Sequence, residues 1–303
     1  MNIRNQIIFP ILLSGITVLL GCNQIQTTEE QTQPAIQTED NQNLSTVQSA
    51  DGSLISYGVR GEGDTTLVLI HCWTCNHQFW QPQIDYFSQD YKVVWLDLAG
   101  HGESSSQRQQ YTMSAFGNDV ASVVNQIDAD RVILVGHSMG GPVAIEAAKQ
   151  LGDKVIGIVG VDTFYTGFNY PQSEEKIEAF LAPFKQDFAS ASEQLSRSMF
   201  VPSTSKTVVD EIVTQMKKDN PEMGVSALHE IFRWNAENAS SDLKQFADKL
   251  DNINAAPTGN ETPQHESVIL IPEVGHFVAQ VKPDEFNQAL EKIITESQTN
   301  TSE

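Results

Sequence analysis

Five short, continuously apolar runs alternate with amphipathic helix patterns, and that alternation predicts an α/β fold with a doubly wound, mostly parallel sheet. A second observation is the long interval from 165 to 243, which carries helix patterns and no strand run and therefore predicts a helical cap inserted into the sheet. A third is an N-terminus that resists assignment to any folded layer.

The runs are TTLVLIH, YKVVWLDL, RVILVGHS, KVIGIVGVD and SVILIPEVGH. They are short, rich in β-branched residues and apolar at every position, as parallel strands buried on both faces require. SLISYGVRG precedes them as an early strand. HQFWQPQIDYF, TMSAFGNDVASVVNQI and GGPVAIEAAKQL carry helical periodicity between the strands. The last helix, KPDEFNQALEKIITES, places Phe286, Leu290 and Ile293 on one face, with Pro283 near its start. In the cap the helical pieces are EEKIEAFLAPFKQDFA, SASEQLSRSMF, KTVVDEIVTQMKKDN and GVSALHEIFRWNAEN. The core is thus expected over 49–164 and 244–298, interrupted by the cap at 165–243.

The chain has 303 residues, and 18 Lys and Arg against 39 Asp and Glu leave a net charge of −21. No basic cluster occurs, so a nucleic-acid partner is not expected, since phosphate binding needs concentrated positive charge. The acidity reads as a solvated, self-repelling surface.

At the N-terminus, MNIRNQ carries one basic residue and IIFPILLSGITVLL is an apolar run of signal-peptide length. The run ends in Leu19-Leu20-Gly21-Cys22, which resembles the lipobox of bacterial lipoproteins. The resemblance implies cleavage after residue 21 and a diacylglyceryl group on Cys22, hence a membrane partner through acyl chains. Asn23 follows the cysteine rather than aspartate, so an exported lipoprotein of the outer membrane is expected. Residues 22–48, rich in Gln, Thr and Glu, cannot bury a core and read as a flexible tether. Residues 299–303 are expected to fray.

The chemistry centres on Gly136-His137-Ser138-Met139-Gly140, a G-x-S-x-G pattern lying directly between a strand and a helix. A turn that tight forces the serine into strained geometry and needs small neighbours, which Gly136, Gly140 and Gly141 provide. The hydroxyl then stands clear of the sheet at the positive end of a helix.

These residues, with His71-Cys72-Trp73, the run from Asp97 to Ser104 (DLAGHGES) and Gly275-His276-Phe277, resemble the α/β-hydrolase superfamily with a helical cap. The resemblance covers about Ser53 to Ser297 and implies Ser138 as nucleophile and His276 as its base. The residue types agree, because a serine hydroxyl becomes reactive when a neighbouring imidazole takes its proton. Among seven histidines His276 alone follows a late strand; His101 and His137 lie in motif loops, where turn packing is the simpler role.

Most of the superfamily carry the acid after the strand that follows the cap. Here that region reads KLDNINAAPTGNETPQHE, with Ala255-Ala256 where an acid is expected and Glu261 as the loop carboxylate. The alternative is Asp162, at the end of the strand after the nucleophile helix. Some members, haloalkane dehalogenases among them, carry their acid at this strand end. Adjacent parallel strands lie ~4.8 Å apart, so Asp162 and Ser138 would emerge side by side. Asp162 is preferred, Glu261 being the runner-up.

One oxyanion donor should be the amide of Met139, the residue after the nucleophile. By resemblance the second comes from the loop after LVLIH, from Trp73 or else Cys72. Cys72 occupies a place where the family usually has glycine, which predicts strain if the backbone there needs positive φ. The loop His71-Cys72-Trp73-Thr74-Cys75-Asn76-His77 also has zinc-ligand types at plausible spacing, but a metal would occupy the loop that the oxyanion needs. Two reduced thiols are expected, with a Cys72–Cys75 disulfide as the alternative in an exported compartment. No metal or cofactor is expected.

Aromatic residues in and before the cap, including Phe168, Tyr170, Phe180 and Phe232, suit an apolar acyl pocket, and the cap's arginines are Arg197 and Arg233 alone. The reading is a serine hydrolase taking a small-molecule carboxylic ester through an acyl-enzyme. Amide or C–C hydrolysis and perhydrolysis on the same site are alternatives, and so is a hydrolase-like binding lipoprotein whose acid has decayed.

Overall fold

The computed structural model describes residues 44–105, 108–217 and 220–300. The signal segment, Cys22 and the tether up to residue 43 lie outside them, as do residues 301–303. No helix among the described residues is long and apolar enough to cross a membrane.

Eight strands form one sheet. Strand β1 (Ser45–Gln48) pairs antiparallel with β2 (Leu54–Arg60). The end of the expected tether is therefore part of the sheet. Val47 sits half-buried against the core, and the Ser49 hydroxyl next to it donates to Asp119 at 2.6 Å in a buried contact. Gly52, at φ +91°, turns the chain back between the two strands.

The remaining strands are β3 (Thr66–Ile70), β4 (Lys92–Leu96), β5 (Val132–His137), β6 (Val155–Val161), β7 (Leu250–Ala256) and β8 (Val268–Pro272). Their order across the sheet is β1-β2-β4-β3-β5-β6-β7-β8, antiparallel for β1, β2 and β4 and parallel from β4 to β8. The chain reverses its direction of winding at β3, which lies between β4 and β5. In open α/β sheets, ligands bind beyond the carboxyl ends of the strands at such a switch point. Every residue of β3, β5 and β6 is buried. Since successive side chains point to opposite faces, both faces of the sheet centre are covered.

Helices α1 (Gln81–Phe87), α2 (Met113–Gln126) and α3 (Gly140–Leu151) lie between the early strands. The cap consists of α4 (Glu174–Gln186), α5 (Phe188–Ser198), α6 (Lys206–Met216), α7 (Pro221–Glu237) and α8 (Ala239–Gln245), all between β6 and β7. A short α9 (Val278–Val281) leads into α10 (Pro283–Asn300), which remains helical through Thr299 and Asn300, where fraying was expected. The cap has an apolar interior of its own, with Leu181, Phe184, Ile212, Met216 and Phe232 buried. It starts its longest helix sharply: Asn220 accepts from the amides of Glu222 and Met223, and Pro221 presets the first helical φ.

Candidate active site

The sheet register decides where the polar residues emerge. His137 pairs with Val161, and Val161 with Ile253, so Ser138 and Asp162 each follow the last paired residue of adjacent strands. Two further bonds continue the ladder past the strand ends: the Ser138 amide donates to Val161 O at 2.9 Å, and the Asp162 amide to Ile253 O at 3.0 Å. Both residues then turn left-handed, Ser138 at φ 53° and Asp162 at φ 45°. For a residue other than glycine this conformation costs on the order of 1–3 kcal/mol and persists only where its surroundings impose it. The surroundings at Ser138 are glycines. A Cβ on Gly136 would stand 2.1 Å from Gly140 O, and one on Gly140 would stand 2.4 Å from Ile70 O. Strand and helix meet too closely there for any side chain.

His276 lies beyond β8 and is held from three directions. Its Nδ1–H donates to Asp162 Oδ2 at 2.6 Å, with both side chains largely shielded from solvent. Its amide donates to Met199 O, at the end of α5, at 2.9 Å. Its own carbonyl accepts from His137 Nε2–H at 3.0 Å. Burial, and then the neighbouring His276 ring, hold the His137 imidazole down to about 3, so it is neutral at ordinary pH. Gly275 is needed for this docking, since a Cβ there would meet Met199 O at 2.1 Å.

The second oxygen of Asp162 accepts from the Ala255 amide at 2.9 Å. The position at the end of β7 that lacks a carboxylate thus gives its backbone N–H to the carboxylate of the neighbouring strand. Glu261, the runner-up acid, bonds instead to the Thr258 amide at 2.8 Å, on an exposed turn, and is not the partner of His276. The Thr258 amide holds its carboxyl below the usual range, against only slight burial. The Ser138 hydroxyl makes no hydrogen bond to a described residue, and neither does Nε2 of His276; the two line the same cavity.

The loop after β3 differs from expectation. Cys72 and Cys75 form a disulfide, Cα to Cα 5.2 Å, and both are buried. The expected pair of reduced thiols is corrected by the tight turn, in which the Cys75 amide donates to Cys72 O and brings the two side chains together. The left-handed residue is Thr74, at φ 53°; Cys72 avoids that region, so the strain predicted for it does not arise. A zinc site cannot use these thiols. The histidines of the loop are engaged elsewhere too: His71 Nδ1–H donates to Cys72 O and its Nε2 accepts from the Leu98 amide, while His77 donates to buried Asp97. The Met139 and Trp73 amides lie outside any helix or strand and donate to no described group, and both residues line the cavity.

Trp73 also binds the cap. Its indole N–H donates to Gly224 O on α7 at 2.8 Å, and its ring packs edge-on against Phe184 and Phe188. A Cβ on Gly224 would stand 2.3 Å from the Phe188 ring, so glycine allows this wedge to close. The contacts of Trp73 and Met199 with their partners are absent from the sequence reading. They join positions some 150 and 77 residues apart, and no spacing or motif encodes such a pairing.

The cavity measures about 570 Å³. Phe180, Leu195, Leu228, Ile231 and Phe232 from the cap form its apolar wall, and its exposed lining comes from Gly167, Phe168, Ser198, Pro257, Glu261, Thr262 and Gln264. Burial raises the Tyr170 phenol, and the Asp162 charge raises it further.

The sequence model of the alpha/beta hydrolase fold family matches residues 65–215, from β3 through most of the cap. Over 263 residues the chain is 25% identical to (E)-2-((N-methylformamido)methylene)succinate hydrolase of Acinetobacter baylyi, covering 81% of this chain and 96% of that one. It is 24% identical to the dihydrolipoyllysine-residue acetyltransferase component of the acetoin cleaving system of Cupriavidus necator, covering 80% and 67%. Among solved structures, a thermophilic esterase from Thermogutta terrifontis superimposes with a TM-score of 0.69 at 20% identity, covering 84% of this chain and 98% of that one. An esterase from Exiguobacterium antarcticum gives 0.70 at 19% identity, covering 83% and 99%. At these identities the structural likeness speaks for the fold alone. With sheet order, serine turn, family match and hydrolase relatives in agreement, the chain has the α/β-hydrolase fold and is a hydrolase.

Proposed function

We propose that the protein is a serine hydrolase that cleaves carboxylic esters with an apolar acyl part through an acyl-enzyme. The observation that carries this reading is the 2.6 Å bond from His276 Nδ1–H to Asp162, beside a serine held left-handed over the same cavity. With Nδ1 committed as donor, Nε2 is left as the base that takes the Ser138 proton. The serine–histidine hydrogen bond forms when substrate fills the cavity, since such bonds are often long or unmade in the empty site. Ser138 Oγ attacks the ester carbonyl, and the developing oxyanion is met by the amides of Met139 and Trp73. His276, now an imidazolium stabilised by Asp162, returns the proton to the departing alcohol. Water deprotonated by His276 then releases the acid and restores the serine.

The apolar cap wall supports an apolar acyl chain, whose burial contributes about 0.8 kcal/mol per methylene. The substrate named for the Acinetobacter relative is a succinate, and it is not carried over here, because no Lys or Arg is among the described residues lining the cavity. The decayed-binder alternative loses its motivation, since Asp162 supplies the missing carboxylate. A series of p-nitrophenyl esters of increasing acyl length tests the reading. Turnover should rise from acetate to medium chains and vanish in Ser138→Ala; turnover by that variant near the wild-type rate would refute it.

The lipid anchor at Cys22, with outer-membrane placement, is a companion proposal that rests on Leu19–Cys22 of the sequence alone. Metabolic labelling with a fatty-acid analogue should mark the native chain and not Cys22→Ser; equal labelling of both would refute it.

A further inference from the structure

Besides the phenols of Tyr165 and Tyr170, the ionisable side chains lining the cavity are Asp162, His276 and Glu261, and no Lys or Arg is among its described lining residues. The cavity lining thus holds two carboxylates and neither Lys nor Arg to balance them. They differ in placement. Asp162 lies at the floor, its charge directed into His276 and the Ala255 amide. Glu261 lies on an exposed turn, where Thr262 and Gln264 are its neighbours in the lining. The Thr258 amide fixes one oxygen of Glu261 and holds its carboxyl below the usual range, so the carboxylate is preformed.

The two sides of the cavity also fix the direction of an ester. The apolar wall contributed by the cap is where an acyl chain leaves water. The alcohol must depart to solvent past the exposed part of the lining, where Glu261 is the one charged residue among those described. Glu261 therefore stands on the path of the alcohol.

Resting on the ester-hydrolase reading above, we infer that Glu261 is a specificity-determining residue that reads the charge of the alcohol: the site prefers esters of cationic alcohols, accepts neutral ones and rejects anionic ones. A cation placed near an exposed carboxylate gains what exposed ion pairs gain, which corresponds to about two- to fivefold in affinity. An anion meets repulsion from Glu261 and, deeper in, from Asp162, with neither Lys nor Arg in the lining to offset its desolvation. Like-charge placement of this kind, with the deeper Asp162 adding to it, disfavours the anion by about ten- to a hundredfold. The preference is screened by salt, since the Debye length falls to about 3 Å at 1 M.

Three butyrate esters of similar bulk separate these effects: the choline ester, the isosteric 3,3-dimethylbutyl ester and the 3-sulfopropyl ester. The readout is the ratio of kcat/KM values within one enzyme, so a general loss of activity cancels. At low salt the order should be cationic, neutral, anionic, with cationic over neutral at about two- to fivefold and neutral over anionic at ten- to a hundredfold. Glu261→Gln should bring cationic over neutral to about one and shrink neutral over anionic, and 0.5 M salt should compress both ratios in the wild type. Calorimetric binding of hexyltrimethylammonium and hexanesulfonate to the Ser138→Ala protein reads the same preference without turnover. Loss of all ester turnover would therefore strike the ester reading while this measurement still decides the charge inference. An anion bound as tightly as the cation, or ratios unmoved by Glu261→Gln, would overturn it.

Discussion

On one side of the cavity, Ser138 and Asp162 stand at the ends of adjacent strands, with His276 brought against them from beyond β8. On the other side, Trp73 sits in a four-residue loop tied by the Cys72–Cys75 disulfide and roped to the cap through Gly224. The first side inherits its precision from the sheet: two backbone bonds continue the ladder beyond the strand ends and fix both turns. The second has no ladder. Its geometry depends on a covalent link below and on the cap above. Chemistry that needs both sides is only as well aligned as the contact between them, and the cap makes that contact twice, at Trp73 and again at His276 through Met199 O.

The largest effect should come from breaking the sheet-borne side. Asp162→Asn keeps the fold but cannot stabilise the imidazolium, and its amide favours the wrong tautomer of His276. For a comparable triad the corresponding loss in kcat is ~10⁴. Glu261→Gln should cost orders of magnitude less, and chiefly through the charge of the alcohol. Steady-state kinetics on one neutral ester compares the two, and the opposite ranking would move the acid to the β7–β8 loop.

Acid probes the packing on both sides, His137 lying against His276 and His101 against His71 of the disulfide loop. Burial holds His137 and His101 down to about 3, against an ordinary value of 6.5. Between those two values the unfolded chain binds protons that the folded chain refuses, so stability falls as pH falls. Each histidine contributes up to about 1.4 kcal/mol per pH unit across the window from about 6.5 to about 3. Urea midpoints should decline steeply from pH 6.5 to 4 and change little between 7 and 8; a flat profile across the acid window would show these rings to be solvated.

On the loop side, Trp73→Phe keeps an aromatic ring against Phe184 and Phe188 but removes the donor to Gly224 O. Gly224 O keeps its place in the helical ladder of α7, so the loss of this one bond costs ~0.5–1.5 kcal/mol of stability. A displaced oxyanion amide should lower kcat by about ten- to a hundredfold with little change in KM. A change in KM alone would make Trp73 a wall of the pocket and nothing more. The smallest effect should follow Cys72→Ser with Cys75→Ser. The ring spans four residues, so its loss removes about 2 kcal/mol of unfolded-state constraint. With His71 still anchored to Cys72 O and Leu98 N, activity should fall only severalfold. Abolished activity would make the disulfide the main support of the loop.

The same division explains what could be read in the sequence. Apolar runs placed five of the eight strands and SLISYGVRG placed β2, because burial on one face or both leaves a periodic mark; β7, LDNINAA, carries polar residues and was expected from the family resemblance alone. Ser138, His276 and Asp162 were legible because each follows such a run, so that strand ends locate them. The disulfide was not, since Cys-x-x-Cys is compatible with thiols, metal or a bond, and local backbone geometry decides among them. Strand β1 escaped because STVQ is short and polar. The latches at Trp73 and Met199 escaped for another reason: they are tertiary contacts with no local pattern.

The central claim is that Ser138 becomes acylated with His276 and Asp162 behind it. Its most direct test is intact-mass and peptide analysis after rapid acid quench of the enzyme with a p-nitrophenyl ester, alongside a fluorophosphonate probe. The account predicts one acyl group, and one phosphonyl group, on the peptide containing Ser138, with labelling abolished in Ser138→Ala and slowed by orders of magnitude in Asp162→Asn. Sustained ester turnover with Ser138 unmodified by either reagent would contradict it.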